Sequence, residues 1–592
     1  MTLNDLPLQS LIWPDVDTSA DPELYVSLSG GADLSADFRE IRFENEGMAR
    51  FDTAMNLFNL GKWQKYCAVS DLSLELEGQG QFEATILHAN GKHTTEVLSR
   101  TTVDMNSDIV SVLSCDWADS LEDAGIVYLE LRSVGSGFLR QAHWRTAQRP
   151  RRSPSLMLSI TTFKREEAVR ATLRRFRSFA ESSLYAEFVQ LTVVDNGQSL
   201  TAEETDKITV LSNPNYGGSG GFARGLMAAE ERGVTHCVFM DDDAAIPFEA
   251  VERTVMFLAY ATDETLAVNA ALTQAERSWE IWENGARFDV FCRPAFQDTD
   301  LRDFSQILAM ELGGNVEKPD NHYGGWWYFA FPVAQAQYMP FPFFVRGDDI
   351  AFSLMNRFRI VPVTGVICFQ NEDFSAKESL RTIYLDLRSH VAHHLYAPQL
   401  NKTPSGAFKV PAFFFLRFFL SCHYETLAAA NLSLRDVLAG PEVFAANLDM
   451  SEKFNAIERL SDREIWRPCD PEALAERMRI NPDRMIDRVL MKLTLNGHLL
   501  PFFSKFGNHL VLPSSARGHR RAIWGAARIT YVSSDGSKSY TVRHDKIRAA
   551  QQTGQFLVSM WRLLWRYRAL LAAWKVQFPE LTSREFWHDA LK

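Results

Sequence analysis

Short apolar runs alternate with helix-like segments between about residues 155 and 240, and this alternation restricts the fold more than any other feature. Two near-continuous apolar runs, Leu156 to Thr162 and Phe188 to Val194, flank the helix-like segment Glu166 to Phe179. A further run, His236 to Met240, follows the helix-like segment Phe222 to Arg232. Strands buried on both faces are continuously apolar, and strands that alternate with helices form a mostly parallel sheet. We therefore expect an α/β domain whose ligands bind at the carboxyl ends of its strands.

The segments on either side of this region have different patterns. From about Leu24 to Leu131, short alternating runs and turn-prone residues predict an antiparallel β-sandwich. The basic, proline-marked segment Arg145 to Pro154 indicates a linker. Beyond about residue 400 the chain is mainly helix-like, with one hairpin candidate at Ala526 to Val542 that turns at Asp535 and Gly536. We therefore predict three domains, which are a β-sandwich at 1–150, an α/β domain at 151–400 and a mainly α-helical domain with a short hairpin at 401–592.

Composition and charge exclude several classes of protein. The chain has 592 residues and a formal net charge of -12, so a binder of nucleic acid polymers is not expected. Its seven cysteines are odd in number and form no C-x-x-C pair, which favours neither a disulfide framework nor a structural zinc site. No basic region followed by an apolar one stands at the start, so no secretory signal is predicted. The most apolar stretch, Val410 to Ala430, is too short and too interrupted by charge to span a membrane, and we expect a cytoplasmic location.

The strongest local signal is the sequence FMDDD at residues 239–243, where an apolar run ends in three adjacent carboxylates. Adjacent carboxylates raise each other's pKa, so a compensating cation is expected nearby. Oxygen ligands at a strand end suit a hard divalent cation such as Mg2+ or Mn2+. Alternation along an extended strand sends Asp241 and Asp243 to one side and Asp242 to the other. An acidic first turn of a helix is the alternative interpretation, and this motif alone does not decide between them.

A glycine-rich segment, Asn213 to Gly221, leads into the helix-like segment before this motif. Glycines let the backbone approach a ligand, and a helix N-terminus supplies free N–H groups and a positive dipole end, which suits a diphosphate. The segment is not a Walker loop, because no G-K-[ST] follows it. A simple turn is the alternative, but the position one helix before the aspartates favours phosphate binding.

A second pair of carboxylates, Asp348 and Asp349, follows the apolar run Phe343 to Val345. One carboxylate could deprotonate an acceptor hydroxyl while its neighbour orients it or raises its pKa, and a helix cap is the alternative. Trp326 and Trp327 follow two glycines. Their rings suit either contact with a sugar or packing in the core.

Together these motifs resemble a GT-A glycosyltransferase of family 2. More closely, the chain is similar, over nearly its whole length, to the polymerising galactofuranosyltransferases that build bacterial cell-wall galactan. The resemblance implies an α/β GT-A (Rossmann-like) catalytic domain, an N-terminal β-sandwich domain that binds or guides the glycan, and a C-terminal mainly α-helical domain that supports a homo-oligomer. The matching segments include Phe51 to Thr53, Thr161 to Arg165, Asn215 to Arg224, Phe239 to Asp243, Leu387 to Arg388 and Leu564 to Trp587.

The resemblance also implies roles for individual residues. Asp349 would be the general base with Asp348 beside it, and Mn2+ or Mg2+ would be held by Asp241 and Asp243. The residues implied for the acceptor are Trp326, Trp327 and, more weakly, Glu283. The residues implied for the nucleotide-sugar donor are Thr162, Phe163, Arg165, Asp195, Asn196, Asn215, Gly217, Gly218, Arg224 and Asp242.

Two positions depart from the family pattern. Where the family presents a metal-ligating histidine in a W-H-x-P-like segment, this chain has Gln370 and Asn371, and where a histidine is expected before Leu387 it has Asp386. An amide oxygen of Gln370 or Asn371 could still complete a site for a hard ion, with weaker and less Mn2+-selective binding.

We predict an inverting, metal-dependent transfer of a sugar, with galactofuranose from UDP-galactofuranose as the first choice, to a hydroxyl of a growing cell-surface glycan or lipid-linked glycan. One alternative is another nucleotide-sugar on the same scaffold, for a capsule or O-antigen. A catalytically silent glycan-binding scaffold is the second alternative, and a nucleotidyltransferase is a weaker third. The aromatic stretches Phe413 to Phe419 and Trp561 to Trp574 are expected to serve packing, contact between protomers or shallow contact with the inner face of the cell membrane.

Overall fold

The structure is a computed structural model that describes residues 3–91, 94–121, 125–274, 277–370, 378–401, 403–469, 474–481 and 483–592. Its first part is a ten-stranded antiparallel sheet. The long strand β6 pairs with β8 and β10 through its first half and with β7 and β9 through its second half. The two halves enclose one core, in which the rings of Phe43 and Phe82 meet edge to face at 5.0 Å. The elements of this part are β1 (Gln9–Ser10), β2 (Ser27–Ser29), β3 (Ala32–Leu34), β4 (Ile41–Phe43), β5 (Met48–Arg50), α1 (Leu60–Cys67), β6 (Leu72–Ala89), β7 (Thr95–Met105), β8 (Ser111–Ser114), β9 (Ile126–Ser133) and β10 (Gly137–Thr146).

The second part is an α/β unit around a nine-stranded mixed sheet. Its elements are β11 (Leu156–Thr162), α2 (Glu166–Ser182), β12 (Val189–Asp195), β13 (Ile208–Ser212), α3 (Gly217–Glu231), β14 (His236–Asp241), β15 (Ala244–Ala245), α4 (Phe248–Tyr260), β16 (Leu266–Gln274), β17 (Arg277–Glu283), β18 (Ala286–Phe288), β19 (Cys292–Pro294), α5 (Phe304–Gly314), β20 (His322–Tyr323), β21 (Phe329–Pro332), α6 (Asp348–Asn356) and β22 (Arg359–Gln370). Strands β18, β19 and β20 form a separate small sheet.

The strand order of the main sheet is β13-β12-β11-β14-β21-β16-β22-β15, with β17 beside β16. The pairs β13/β12, β12/β11, β11/β14 and β16/β22 are parallel, whereas β21 runs antiparallel to both of its neighbours. This mixed sheet confirms the α/β fold class that the apolar runs predict. The expected strands Leu156 to Thr162 and His236 to Met240 coincide with β11 and β14.

Two expectations about the borders of elements are wrong. The predicted linker begins too early, because Arg145 and Thr146 are the last residues of β10 and pair with β6. The glycine-rich segment is not a loop before a helix, because α3 begins at Gly217, five residues before the predicted start at Phe222. The glycines therefore form the first turn of the helix.

The third part is mainly helical, with a four-stranded sheet of order β23-β26-β25-β24. The predicted hairpin is present as β25 and β26, and the parallel strand β24 extends it. In the described residues, no helix is both long and apolar enough to cross a membrane. The elements are α7 (Leu380–Tyr396), α8 (Ser405–Leu420), α9 (Tyr424–Ala439), α10 (Glu442–Ala445), α11 (Ser451–Glu458), β23 (Arg467–Pro468), α12 (Met485–Leu493), α13 (Phe503–Phe506), β24 (Asn508–Pro513), β25 (Ala526–Val532), β26 (Lys538–Arg543), α14 (Lys546–Leu581) and α15 (Arg584–Ala590).

Buried charged groups join the N-terminal sheet to the α/β unit. The Lys62 ammonium on α1 donates to the Glu311 carboxylate on α5 at 2.9 Å, and Thr364 Oγ1 donates to the same carboxylate at 2.6 Å. The buried Arg253 on α4 donates to the carbonyl oxygens of Met55 and Ser10 at 2.6 Å and 2.7 Å. Since a buried charge is costly unless it is paired and hydrogen-bonded, these contacts fix the position of the N-terminal sheet relative to the α/β unit.

Candidate active site

The carboxyl ends of three parallel strands meet at one edge of the main sheet. Thr162 at the end of β11 pairs in register with Asp195 at the end of β12, and Thr161 pairs with Asp241 at the end of β14. The position follows from the parallel pairing, because parallel strands present their carboxyl ends at the same edge. The predicted donor and metal residues of β11, β12 and β14 are therefore brought together.

The aspartates after β14 are compensated by an arginine. Arg165 Nη1 donates to Asp242 Oδ1 at 3.1 Å and to Asp243 Oδ2 at 2.9 Å, and Thr162 Oγ1 donates to Asp242 Oδ2 at 2.8 Å. Burial raises the pKa of Asp242, against the lowering effects of Thr162 and Arg165. The expectation that Asp242 and Asp243 point to opposite sides is wrong, since both contact one guanidinium nitrogen. The reason is that β14 ends at Asp241, so strand alternation does not continue through the next two residues.

The donor atoms around Asp243 fit a hard divalent cation in chemistry. Gln370 Nε2 donates to Asp243 Oδ1 at 2.8 Å, while the buried Gln370 Oε1 has no hydrogen-bond partner. If the amide turned over, its oxygen would face Asp243 and the two oxygens could share one ion. Among the described residues, no group of three or more His, Cys, Asp and Glu side chains could hold a metal. Asn371, the other candidate ligand, lies outside the described residues.

The glycines of the first turn of α3 allow this helix to lie directly on β11. A Cβ atom at Gly221 would approach the Thr161 side chain to less than 3.0 Å, and one at Gly225 would approach Ser159 equally closely. Gly217 has a φ of +66°, and a Cβ atom there would collide with the Phe344 carbonyl. In this structure, the glycines therefore allow close contact with the protein's own backbone and side chains. Phosphate binding at this helix N-terminus stays a prediction.

The loops after β12 and β13 hold the start of α3 in place. Asn196 Nδ2 donates to the Gly217 carbonyl at 2.9 Å, and Asn215 Oδ1 accepts from the Gly217 amide at 3.2 Å. Both oxygens of the buried Asp195 carboxylate accept backbone N–H groups, from Gly197 and from Ser199, at 2.8 Å and 2.7 Å. Asp195 therefore shapes the loop after β12, and a role in nucleotide binding is not tested.

Two further donor candidates lie at or near the same edge. Phe163 directly follows β11, and its side chain is 45% exposed although it is large and apolar. Lys164 Nζ lies 5.2 Å from the centroid of the Phe163 ring. Arg224 is half-buried on α3, two turns after the helix start. An exposed aromatic ring beside a strand end is a suitable stacking surface for a nucleotide base.

The second carboxylate pair occupies the first turn of α6. Asp348 Oδ2 accepts from Ser219 Oγ on α3 at 3.0 Å, which joins the pair to the glycine-rich turn. Burial raises the pKa of Asp348, and burial together with the negative charge of Asp348 raises the pKa of Asp349. Ser219 was missed by the sequence analysis, and only its place among the glycines could have indicated it. Asp348 and Asp349 thus begin a helix, as the helix-cap interpretation predicts, and they also form an acid pair suited to proton transfer.

Glu283, at the end of β17, adds a third carboxyl group to this pair. Burial, and after it the charge of Asp349, raises the pKa of Glu283 to about 8. Its Oε1 is buried and has no hydrogen-bond partner in the structure. The charges of Glu283 and Asp349 also raise the pKa of the buried Tyr323, in addition to the effect of its burial. The raised pKa favours the protonated form of Glu283 near neutral pH, and in that form it can donate a hydrogen bond into the site.

The two tryptophans occupy different environments. Trp326 is only 5% exposed, and its ring packs edge to face on Phe222 and Phe239 at 4.8 Å. Trp327 is half-buried, and its Nε1 donates to the Ala270 carbonyl at 2.9 Å. The geometry favours core packing for Trp326, and contact with an acceptor stays a prediction for Trp327.

Buried groups from α7 support the segment before Asp348. The Arg388 guanidinium, which is buried, donates to the Phe343 carbonyl and, at 3.2 Å, to the Met450 sulfur. Asp386, which stands where the family pattern predicts a histidine, lies 4.0 Å from Arg346 Nε. Arg388 therefore supports the peptide that leads into Asp348 and Asp349, and Asp386 places a negative charge beside Arg346.

The sequence of this chain is similar to those of two known proteins. Galactofuranosyltransferase GlfT2 of Mycobacterium tuberculosis is 21% identical to this chain over 605 residues, which cover 92% of this chain and 90% of that protein. Galactofuranosyltransferase GlfT2 of Mycolicibacterium smegmatis is 21% identical over 426 residues, which cover 67% of this chain and 65% of that protein. No protein-family model matches the chain.

Solved structures similar to part of the chain include mannosyl-3-phosphoglycerate synthase from Rubrobacter xylanophilus, with a TM-score of 0.28, 12% identity, and coverage of 43% of this chain and 78% of that chain. Another is a mycobacterial protein with a TM-score of 0.25, 14% identity, and coverage of 40% of this chain and 73% of that chain. Because these TM-scores are low, no conclusion about the fold is drawn from these similarities.

A mixed sheet with carboxylates gathered at its carboxyl edge, together with these relatives, supports a glycosyltransferase. The class agrees with the sequence comparison. Within it, the chain resembles galactofuranosyltransferase GlfT2, as the sequence motifs predict.

Proposed function

We propose that the chain is an inverting, metal-dependent glycosyltransferase that moves galactofuranose from UDP-galactofuranose to a hydroxyl of a growing cell-surface glycan. The observation that carries the proposal is the pair of the buried Asp348 and the half-buried Asp349, joined through Ser219 to the helix that starts beside the donor edge of the sheet. The names of the relatives support the choice of sugar. Another nucleotide-sugar on the same scaffold is the alternative.

The donor side of the site offers the groups that a nucleoside diphosphate requires. Phe163 offers an exposed ring for the base, and Arg165 offers a guanidinium whose present partners are carboxylates. The N-terminus of α3 adds its positive dipole end. Because a guanidinium binds a phosphate in the same bidentate way as a carboxylate, Arg165 can exchange Asp242 and Asp243 for the departing diphosphate.

Asp241, Asp243 and Gln370 would hold the divalent cation. When bound, the cation would neutralise charge on the diphosphate leaving group. Gln370 would contribute its amide oxygen, which is buried and has no partner in the structure. A neutral oxygen donor in place of an imidazole favours Mg2+ over softer ions compared with a histidine-containing site.

On the acceptor side, Asp349 would take the proton from the attacking hydroxyl. Ser219 donates to Asp348 and so favours the charged form of that neighbour. Like charges close together cannot both ionise easily, so Asp349 holds a proton more tightly than an ordinary aspartate and is a stronger base when it has lost it. Attack on the face opposite the diphosphate inverts the anomeric centre in a single displacement.

A panel of nucleotide-sugars tests the proposal. We expect UDP-galactofuranose with Mg2+ or Mn2+ to give transfer to an alkyl galactofuranosyl disaccharide, detected by mass spectrometry of the product. We expect no transfer after chelation of the metal. Transfer from another UDP-, GDP- or dTDP-sugar alone would show that this sugar, and not UDP-galactofuranose, is the donor. If no nucleotide-sugar is broken down, the catalytically silent scaffold is favoured.

We further propose that α14 carries a contact between protomers. This 36-residue helix leaves Trp565 74% exposed, together with Trp561 and Leu564 on adjacent turns. Contiguous exposed aromatic residues are typical of protein contact surfaces. The expected test result is a homo-oligomer in light scattering that dissociates when Trp561 and Trp565 are both replaced by serine; a monomeric wild-type chain would contradict it.

We also propose a peripheral contact of the third part with a lipid surface. Phe414, Phe418 and Phe419 of the expected aromatic stretch are buried in the core, so this stretch serves packing. Besides the exposed residues of α14, a second exposed apolar surface lies on α12, where Ile486 is 76% exposed. The contact would bring the enzyme close to a lipid-linked acceptor at the inner face of the cell membrane.

A further inference from the structure

A cleft of about 740 Å³ separates the polar face of the N-terminal sheet from helices α2 and α4. Glu77 and His143 line it on the sheet side, and Phe179 and Phe248 line it on the helix side. A second hollow of about 580 Å³ lies along the same face of the sheet and is lined in part by Trp13, Arg140 and again Glu77. The two hollows share the lining residues Glu77 and Gln141 and are therefore adjacent, and together we call them the junction groove.

Acidic side chains outnumber basic ones in the larger cleft of the junction groove. His143 Nε2 lies 3.1 Å from Glu77 Oε1, and Arg42 Nε lies 3.0 Å from Glu40 Oε1. The larger cleft is lined by six acidic residues and three arginines, so it presents no positive field to a polyanion. A nucleoside diphosphate or a nucleic acid is therefore a poor ligand for this groove.

The lining suits a neutral ligand with many hydroxyl groups. Carboxylates accept hydrogen bonds from hydroxyls and guanidinium groups donate to them, and hydrogen bonds with one charged partner are roughly twice as strong as neutral ones. The partly buried Phe248 ring, stacked on Phe179 at 4.9 Å, and the half-buried Trp13 offer apolar surfaces for the C–H faces of sugar rings. Acidic and basic side chains suit the hydroxyl groups of an oligosaccharide, and the aromatic rings suit the C–H faces of its sugars.

The near end of the groove lies close to the reaction centre. Ile246 and Pro247 line the larger cleft and follow Asp243 by three and four residues. Four residues of chain span at most about 14 Å. A glycan in the groove therefore runs to within about that distance of the donor carboxylates.

We propose that the junction groove binds the acceptor glycan along its already polymerised part, several sugar units away from the hydroxyl that reacts. The inference rests on the proposed function, because it takes the glycan to be the product of the same site. The groove then raises the affinity for long acceptors and leaves the chemistry at Asp349 unchanged.

The test compares a groove variant with a matched control. The groove variant carries Glu77→Ala and Arg140→Ala, two partly exposed charged residues of the groove. The control carries Glu46→Ala and Arg132→Ala, an exposed ion pair of the same ten-stranded sheet that does not line the groove. Equal thermal unfolding midpoints of the two variants show that both retain the fold.

The probes are octyl galactofuranosyl di- and hexasaccharides. We expect the groove variant to raise the KM for the hexasaccharide at least ten-fold, with the KM for the disaccharide and kcat for both unchanged, while the control behaves as the wild type. An unchanged hexasaccharide KM, or an equal rise for both acceptors, would overturn the groove assignment.

A binding measurement separates the groove from the proposed function. Saturation-transfer NMR reports whether the hexasaccharide binds, without any turnover. If the wild type transfers no galactofuranose, the proposed function fails, and hexasaccharide binding that is lost only in the groove variant still supports the groove. No hexasaccharide binding to the wild type, or equal binding to all three proteins, would contradict it.

Discussion

At the scale of single residues, burial decides the chemistry of the site. Asp349 has no cationic partner close enough to outweigh its burial and the charge of Asp348, so its pKa is raised. Burial, and after it the charge of Asp349, raises the pKa of Glu283 to about 8. Asp349 and Glu283 are therefore two carboxyl groups with raised pKa values in one site, which is typical of sites that handle protons.

Replacement of Asp349 by asparagine tests the assignment of the base. The change keeps the size of the side chain and removes its ability to take a proton, so we expect at least a 1,000-fold loss of kcat with UDP-sugar binding unchanged. In the wild type, Asp349 must lose its proton to act, so kcat/KM should fall as the pH drops through a pKa above the ordinary range of aspartate. Steady-state rates from pH 5 to pH 9 measure both effects. A wild-type kcat/KM that stays constant down to pH 5, or near-wild-type turnover by the variant, would remove Asp349 from this role.

Gln370 tests the metal site. Replacement of Gln370 by histidine restores the ligand type of the related family, and an imidazole nitrogen binds Mn2+ more strongly than an amide oxygen does. We expect the Mn2+ concentration at half-maximal activity to fall several-fold, with a smaller change for Mg2+. Replacement of the nearby Thr364, which hydrogen-bonds Glu311 instead, by serine is the control. Equal responses of both ions would show that residue 370 does not bind the metal.

The sequence predicts the residues of the site better than it predicts their contacts. The aspartates at the end of β14 and the pair Asp348 and Asp349 at the start of α6 are recognisable because each group follows an apolar run. The shared contact of Asp242 and Asp243 with Arg165 depends on where β14 ends, and Ser219 acts through a contact between residues 129 positions apart. Such contacts depend on tertiary packing, which periodicity does not record.

At the scale of elements, α3 shows how glycines position the site. Gly221 and Gly225 let the helix lie on β11, and this packing brings Ser219 to Asp348. The sequence predicts the helix, but it places the start five residues too late, because glycines lower helix propensity and are read as a turn. Close packing of helix and strand overrides that local preference.

Two glycines within helices give opposite predictions on replacement by alanine. At Gly225 of α3 a Cβ atom would approach Ser159 to less than 3.0 Å, whereas at Gly554 of α14 no atom lies within 4 Å. We expect Gly225→Ala to lower the free energy of unfolding by about 1–3 kcal/mol through overpacking, and Gly554→Ala to raise it by roughly 0.5–1 kcal/mol. Urea unfolding curves measure both. A stabilised Gly225→Ala variant would show that α3 does not pack on β11 as described.

At the scale of the whole molecule, the local sequence does not predict how the N-terminal sheet and the α/β unit are oriented. The alternating runs predict a β-sandwich, and the structure has a ten-stranded antiparallel sheet there, followed by the mixed sheet of the α/β unit; the three domain borders stay a prediction. The relative position of the two sheets depends on buried pairs such as Lys62 with Glu311, which are 249 residues apart. Nothing in the local sequence marks Lys62 as a buried residue, since lysine is rarely buried unless paired.

The third part presents an amphipathic helix that suits a lipid surface. In α12, Met491 is buried, whereas Ile486, Leu493 and their apolar neighbours Met485, Val489 and Leu490 are exposed. Basic residues lie among them, including Arg488 and Lys492. An apolar face interleaved with basic groups is typical of helices that lie in the headgroup region of anionic membranes.

Co-flotation with vesicles tests this surface. We expect the full chain to float with vesicles that contain about 30% phosphatidylglycerol, less with neutral vesicles and less at high salt, because screening weakens the attraction of the basic residues. Replacement of Ile486 and Leu493 by serine should reduce the floated fraction several-fold, since each exposed apolar side chain adds about 1.5–3 kcal/mol when it is buried. Val16, which is 81% exposed on the N-terminal part, provides the matched control through Val16→Ser. If the wild type stays at the bottom of the gradient with every vesicle, or if Val16→Ser is as damaging as the double variant, α12 does not dock on lipid and its apolar face requires a different partner.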